Sequence, residues 1–369
     1  MQLLCRGSLG TGRSIELRLD LATSYRGFCF STTLAEYLQS GAFRKKERKK
    51  ERKKERKKGV MMTYADIEFI SEAHILRGRH YAAAPGSLDG ESAPCVIMAH
   101  GTSATISMAL DKYAVAFQSA GLNVVLYDHA GLGASDGAQR QVINPWVQAR
   151  GYRDACAYVR ASPHSHNGQI FIWGDSYAGM LVLLVGAFVE GLAGIVSHIP
   201  ATGPKQLLSS DPVADFKTLQ TLFETADLNQ FDAHVAGPMP VVSADPFGLP
   251  SLLLPIQAYT WFISHGGQFG SNWQNSITRV IPKTPVPFAP QITTPFLTAP
   301  TMMLVGRGDE MVHCNSDVQK AIFDSIPAKK EFYEVEGGHF GCLCAGTDLF
   351  DEAVAAEIAF IKLHSTLRS

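Results

Sequence analysis

From residue 65 onward the chain alternates between short apolar runs and longer stretches with helical spacing. Ala65–Glu72 and Ile75–Ala82 are β-rich and alternating, with a turn near Ala73-His74, which predicts a hairpin. Cys95–Ala99, Asn123–Tyr127, Gln169–Trp173, Ile195–Ile199, Thr301–Val305 and Lys330–Val335 read as strands. Between and after them Leu110–Ala120, Pro145–Arg160, Tyr177–Val189, Ser316–Ser325 and Asp348–His364 read as helices. Strands that alternate with helices in this way predict an α/β fold with a mostly parallel sheet and helices on both faces. The leading hairpin predicts antiparallel strands at one edge. Residues 201–296 break the alternation and are rich in Pro, Gly, Phe and Leu. They lie between two strands and are expected to form a lid or cap insertion. In an open α/β sheet the ligand crevice lies at the carboxyl ends of the strands, so a cap there would shape the substrate pocket.

The length of 369 residues exceeds what one core commonly supports, roughly 250–300 residues. The expected division is a low-complexity basic tail over 1–60, a first part of the core over 61–200, the cap over 201–296 and a second part of the core over 297–369. Twelve Lys and Arg against three Glu give segment 44–58 a charge of +9, so the rest of the chain carries −10 to reach the net −1. The KKER repeat in that segment cannot build a core and is read as a solvated tail, and Met61 and Met62 directly after it are candidate starts. The acidic remainder gives no reason to expect a nucleic-acid partner. Seven irregularly spaced cysteines without a C-x-x-C pair fit a reducing compartment. No stretch approaches the roughly 20 apolar residues of a membrane helix, and the first residues lack an apolar leader core. The expected location is the cytoplasm.

The candidate chemistry centres on Trp173-Gly174-Asp175-Ser176-Tyr177-Ala178-Gly179. It follows an apolar strand and opens an apolar helix, the context a nucleophile elbow needs, with small residues two positions either side of the serine. Serine requires a base held in place. In chain order an acid and a histidine follow: Asp309 after the Thr301–Val305 strand, and His339 after the Lys330–Val335 strand. Ser176, Asp309 and His339 are therefore the expected catalytic triad, with Glu310 the competitor for the acid. The backbone N–H groups of Tyr177 and Thr102 are the expected oxyanion donors. His100 is expected to support the Thr102 loop. Trp261 and Phe262, and with them Phe269, are expected to line the substrate pocket, in a cap that also clusters Phe247 and Leu252–Leu254. The Gly-rich turn Asp128–Gly137 lacks a phosphate-binding lysine and is read as structural. His164-x-His166 and Cys342-x-Cys344 lack companions at ligand spacing, so no metal and no cofactor are expected.

Over roughly residues 62–364 the chain resembles a known family. The matching pieces are Ala99-His100-Gly101, Tyr127-Asp128, Gly131-x-Gly133-x-Ser135-Asp136-Gly137, Gln139-Arg140-Gln141, Trp173-Gly174-Asp175-Ser176, Val196–Pro200 and Trp273–Thr278. It is similar to the dienelactone-hydrolase-like α/β hydrolases, and among them most to the fungal polyketide transferase group of secondary-metabolite clusters. It departs from them at Ala178, where glycine is common, and over residues 1–60. The resemblance implies an α/β-hydrolase fold and acyl transfer, or ester or thioester hydrolysis, on a small-molecule polyketide-derived acyl substrate. A polyketide synthase acyl carrier domain is an implied partner. A general carboxylesterase and a non-catalytic ligand-binding pseudohydrolase are the alternatives. The complete ordered triad argues against the second.

Overall fold

The computed structural model describes residues 64–83, 93–162, 168–206 and 209–365. The basic tail 1–60 and the pair His164 and His166 lie outside the described residues. Eight strands form one sheet in the order β1-β2-β4-β3-β6-β7-β10-β11. They are β1 (Ala65–Ser71), β2 (His74–Tyr81), β3 (Cys95–Ala99), β4 (Asn123–Tyr127), β6 (Ile170–Asp175), β7 (Gly194–His198), β10 (Thr301–Gly306) and β11 (Lys330–Val335). β1 and β2 pair antiparallel, as do β2 and β4. Every later neighbour is parallel, from β4–β3 to β10–β11.

The strand side chains divide by parity into two cores. Val96 and Met98 of β3, Val124 and Leu126 of β4, and Phe171 and Trp173 of β6 face one side. There they meet helix α1 (Leu110–Ser119) and the C-terminal helix, Asp348–His364. Ile97, Val125, Ile170 and Ile172 face the other side. That face is covered by α2 (Pro145–Ala161), α3 (Tyr177–Val185) and Ser316–Ser325. Residues on both faces are fully buried, which explains why the parallel strands read as continuous apolar runs rather than as alternation. Asn144 caps α2 by accepting from the Trp146 N–H at 3.1 Å, with Pro145 in the first turn. The helix read as Tyr177–Val189 stops at Val185. Gly186 packs so closely that a Cβ there would stand 2.3 Å from Cδ1 of Ile195, and the chain continues as turns.

Residues 201–296 hold helix α4 (Pro212–Thr225), strand β8 (Ala233–Met239), helix α5 (Ile256–Gly266) and strand β9 (Ile277–Pro282). β8 and β9 pair antiparallel, with a register shift between Ala236 and Met239. On its other side β9 pairs with the short strand β5 (Val142–Ile143), which comes from outside this segment. Neither β8 nor β9 shows strict alternation. Ala233–Met239 is mostly exposed and contains Gly237-Pro238, so its strand character comes from pairing rather than from pattern. Among the described residues no helix is long and apolar enough to cross a membrane. The described cysteines, Cys95, Cys156, Cys314, Cys342 and Cys344, are free thiols.

Candidate active site

Ser176, Asp309, His339 and Thr102 all lie just beyond carboxyl ends of sheet strands: β6, β10, β11 and β3. Ser176 joins β6 to α3 with φ 54° and ψ −116°, outside the regions favoured by side-chain-bearing residues. Its N–H donates to the His198 carbonyl at 2.9 Å, which ties the turn to β7. The turn has no room at Gly174, where a Cβ would collide with the Ala178 carbonyl and the Tyr152 hydroxyl. Ala178 is fully buried in the core. Gly174→Ala should therefore lower stability by about 3 kcal/mol or prevent folding. Thermal unfolding measures this, and an unchanged melting temperature would contradict the close packing of the turn.

The hydroxyl of Ser176 lies 2.9 Å from Nε2 of His339, and Nδ1 of His339 lies 2.8 Å from Oδ2 of Asp309. The His339 and Asp309 side chains are almost completely buried. Asp309 also accepts from the Met311 N–H through Oδ1 at 2.9 Å. Glu310 does not touch the imidazole. It accepts the backbone N–H of His339 at 2.9 Å and so anchors the loop that carries the ring. Cys314 packs against the same pair, its Sγ 3.6 Å from Nδ1. Burial, with the neighbouring Asp309 charge, pushes its thiol well above the ordinary range, so it is protonated. Asp309, Cys314 and His339 bring metal-capable atoms within 4.8 Å of one another. Their spacing is accounted for by the carboxylate–imidazole hydrogen bond and by the protonated thiol beside it.

The loop after β3 abuts the nucleophile. A Cβ on Gly101 would stand 2.9 Å from both the Ser176 Cβ and the Asp175 carbonyl oxygen. The Gly101 N–H donates to Oδ1 of Asp175 at 2.9 Å, and Nδ1 of His100 lies 3.1 Å from Oδ2. His100 places its Nε2 2.8 Å from the Met108 carbonyl, so that nitrogen is a donor. Burial works against the imidazolium, but Asp175 outweighs it and raises His100 above its ordinary value. Burial likewise opposes the Asp175 carboxylate, while His100 holds it below the usual range. The contacts of Asp175 with Gly101 and His100 fasten the loop to the residue before the nucleophile. Neither the Tyr177 nor the Thr102 N–H has a protein acceptor among the described residues. Both are next to Ser176 in sequence or across this contact.

Trp261 and Phe262 are buried on α5 and, with Phe340, border a narrow space of about 20 Å³ at Ser176 and His339. The Trp261 ring meets His100 edge-on at 5.6 Å. Phe269 does not line a pocket and is fully exposed, because it follows the glycine pair that ends α5. Phe247 is also exposed, whereas Leu252 and Leu253 face a second, larger cavity. That cavity, of about 550 Å³, opens from Thr102 and Tyr177 and runs past Met180, Trp146 and Phe288 to the β5–β9–β8 sheet. Its size is within the range of small-molecule sites. Asp128, in the Gly-rich turn, accepts the N–H groups of Ile106 and Ala134 at 2.9 Å each, and its burial pushes its carboxyl up to about 6. That turn is a structural brace.

Asp175 and Cys314 were not singled out from sequence. Asp175 stood inside the motif itself, but nothing in the pattern showed that His100, far away in the chain, reaches it. Cys314 was one of several irregularly spaced thiols.

A family described as serine aminopeptidase, S33 (Hydrolase_4) matches residues 90–240, a span that holds Thr102, Ser176 and Tyr177 and ends before Asp309 and His339. The chain is 25% identical over 272 residues to the quorum-quenching protein AidA of Acinetobacter baumannii, covering 73% of this chain and 86% of that one. It is 25% identical over 311 residues to the thiohydrolase aneE of Aspergillus aculeatus, covering 81% and 93%. It is 25% identical over 332 residues to the polyketide transferase af380 of Aspergillus fumigatus, covering 82% and 99%. The crystal structure of the α/β hydrolase GrgF from Penicillium sp. sh18 superposes with a TM-score of 0.58 at 22% identity, over 82% of this chain and 99% of that one. The strand order and this structural likeness agree on an α/β-hydrolase fold, and in sequence the chain is similar to proteins named as fungal thiohydrolases and polyketide transferases.

Proposed function

We propose that the protein is a cytoplasmic serine acyl hydrolase or acyltransferase. Its substrate is an ester or thioester of a hydrophobic, polyketide-derived acyl chain, presented free or on an acyl carrier domain. The observation that carries this reading is the hydrogen-bonded chain from Ser176 through His339 to Asp309, beside a large, mainly apolar cavity. Asp309 accepts Nδ1–H, so the Nε2 lone pair of His339 faces the serine hydroxyl. His339 takes that proton as Ser176 Oγ bonds to the acyl carbonyl carbon. The N–H groups of Tyr177 and Thr102 stabilise the oxyanion. Collapse breaks the carbon–sulfur or carbon–oxygen bond, and His339 returns the proton to the leaving thiol or alcohol. Water or an acceptor hydroxyl then attacks the acyl-enzyme, giving its proton to the same Nε2, and collapse breaks the acyl carbon–Oγ bond as His339 returns that proton to Ser176. The relatives named thiohydrolase and polyketide transferase support both outcomes.

Hydrolysis and transfer share the acyl-enzyme, so the acceptor decides between them. Buried Trp261, Phe262 and Phe340 crowd the serine and favour exclusion of bulk water. Supplied with a medium-chain acyl thioester and a panel of hydrophobic alcohols, the enzyme should form ester in competition with free acid. Acetate esters should be poor substrates. Free acid alone across the panel would restrict the function to hydrolysis, and a preference for acetate would contradict the apolar-cavity reading.

A further inference from the structure

The larger cavity combines apolar walls with positive charge. Its wall includes one face of the β5–β9–β8 sheet. Ile143 pairs with Arg279, Ala236 with Arg279 and His234 with Ile281, so Ile143, Arg279, Ile281 and His234 share that face. Ile143, Arg279, Ile281 and His234 all line the cavity. Arg279 is half-buried there, while Lys283 is exposed at the end of the same strand. His313 adds a further imidazole, and no Asp or Glu lines the cavity. Among the described residues Arg279 has no ion-pair partner and no side-chain hydrogen bond. Its charge is felt at two cavity groups. Burial and then Arg279 lower His313 below its ordinary value, and Arg279 opposes the upward push of burial on the Tyr177 phenol. Tyr177 directly follows the nucleophile, so the unpaired guanidinium faces the same space as the reacting acyl group. The contrast with the chain as a whole is strong: outside segment 44–58 the sequence is net acidic.

A guanidinium that is half-buried without a carboxylate is not stabilising in itself. It suits an anionic ligand group, which it can meet with paired N–H donors. We propose that Arg279 is a specificity-determining residue that binds an anionic oxygen group on the substrate, while the apolar walls take the acyl chain. The anion is either a carboxylate on the acyl chain itself or the phosphate of a pantetheine arm. This rests on the reading of the cavity as the acyl site.

The test is equilibrium binding to full-length Ser176→Ala protein, which cannot turn over its ligand under the proposed mechanism. The probes are three thioesters of one chain length: octanoyl-N-acetylcysteamine, its ω-carboxyl counterpart, and octanoyl-phosphopantetheine. At least one anionic probe should bind about 10- to 100-fold more tightly than the neutral one, as a charge-assisted hydrogen bond provides. A gain confined to the ω-carboxyl probe puts the anion on the acyl chain, and a gain confined to the phosphate probe puts it on the thiol arm. Adding Arg279→Met should erase the preference and leave neutral binding within about threefold, whereas Arg279→Lys should retain part of it. Equal binding of all three probes, no saturable binding of either anionic probe, or a preference that survives Arg279→Met but is lost with Lys283→Met overturns the proposal. Failure of the wild-type enzyme to turn over any thioester would instead sink the acyl-transfer reading, and the binding comparison would be unaffected.

Discussion

Ser176→Ala should abolish turnover, with a loss on the order of 10³-fold or more, while the fold is retained. The elbow is held by backbone bonds, the Ser176 N–H to His198 and the Ser176 carbonyl from the Met180 and Ala201 N–H groups, and none of them needs the hydroxyl. Removing Oγ takes away only the atom 2.9 Å from His339 Nε2. A serine-directed phosphonate should label the wild-type chain once, seen as one mass increment, and should leave the alanine variant unlabelled. Labelling that persists in Ser176→Ala, together with retained turnover, would remove Ser176 from the mechanism. Loss of activity with a collapsed melting temperature would point to a structural role for the hydroxyl instead.

Asp309→Asn should be almost as damaging, on the order of 10⁴-fold in the general Ser-His-Asp pattern. The carboxylate accepts Nδ1–H and thereby leaves Nε2 unprotonated toward the serine. An amide NH₂ at that position favours the opposite tautomer, with Nε2–H facing Ser176 and unable to take its proton. Glu310→Gln keeps an acceptor oxygen for the His339 backbone N–H and should cost less than about tenfold, since the ring itself is not contacted. The comparison is made on kcat/KM with one thioester. A crippled Glu310→Gln beside a mildly affected Asp309→Asn would reverse the assignment of the acid.

The parts of the fold that were legible in sequence are those in which one local rule dominates. The parallel strands are buried on both sides, so runs such as Cys95–Ala99 and Asn123–Tyr127 announce themselves, and the loops that leave them mark the carboxyl edge. Ser176, Asp309 and His339 could be gathered because each stands just past such a run. What was not legible depends on partners distant in the chain. β8 and β9 are half-exposed, and their pairing, not their composition, makes them strands. Arg279 likewise gains its place on a cavity wall only through the pairing of its strand. The bond from the Gly101 N–H to Asp175 and the links from Glu357 to His198 and Trp173 join groups 74, 159 and 184 positions apart. Phe269 shows the reverse failure: its aromatic character suggested a pocket wall, but the backbone after α5 turns it to solvent.

The strand Val142–Ile143 has a consequence for how such enzymes can diversify. It lies between the Gly-rich turn and α2, yet it completes the three-stranded sheet with β9 and β8 and continues the wall that carries Arg279. Segment 201–296 is therefore joined to residues 142–143 by backbone strand pairing. A chimera that exchanged residues 201–296 alone would strand this edge and leave the incoming sheet without its third member. Modular exchange of substrate preference would have to carry 142–143 with it, so the seam for recombination does not coincide with the boundaries of the insertion.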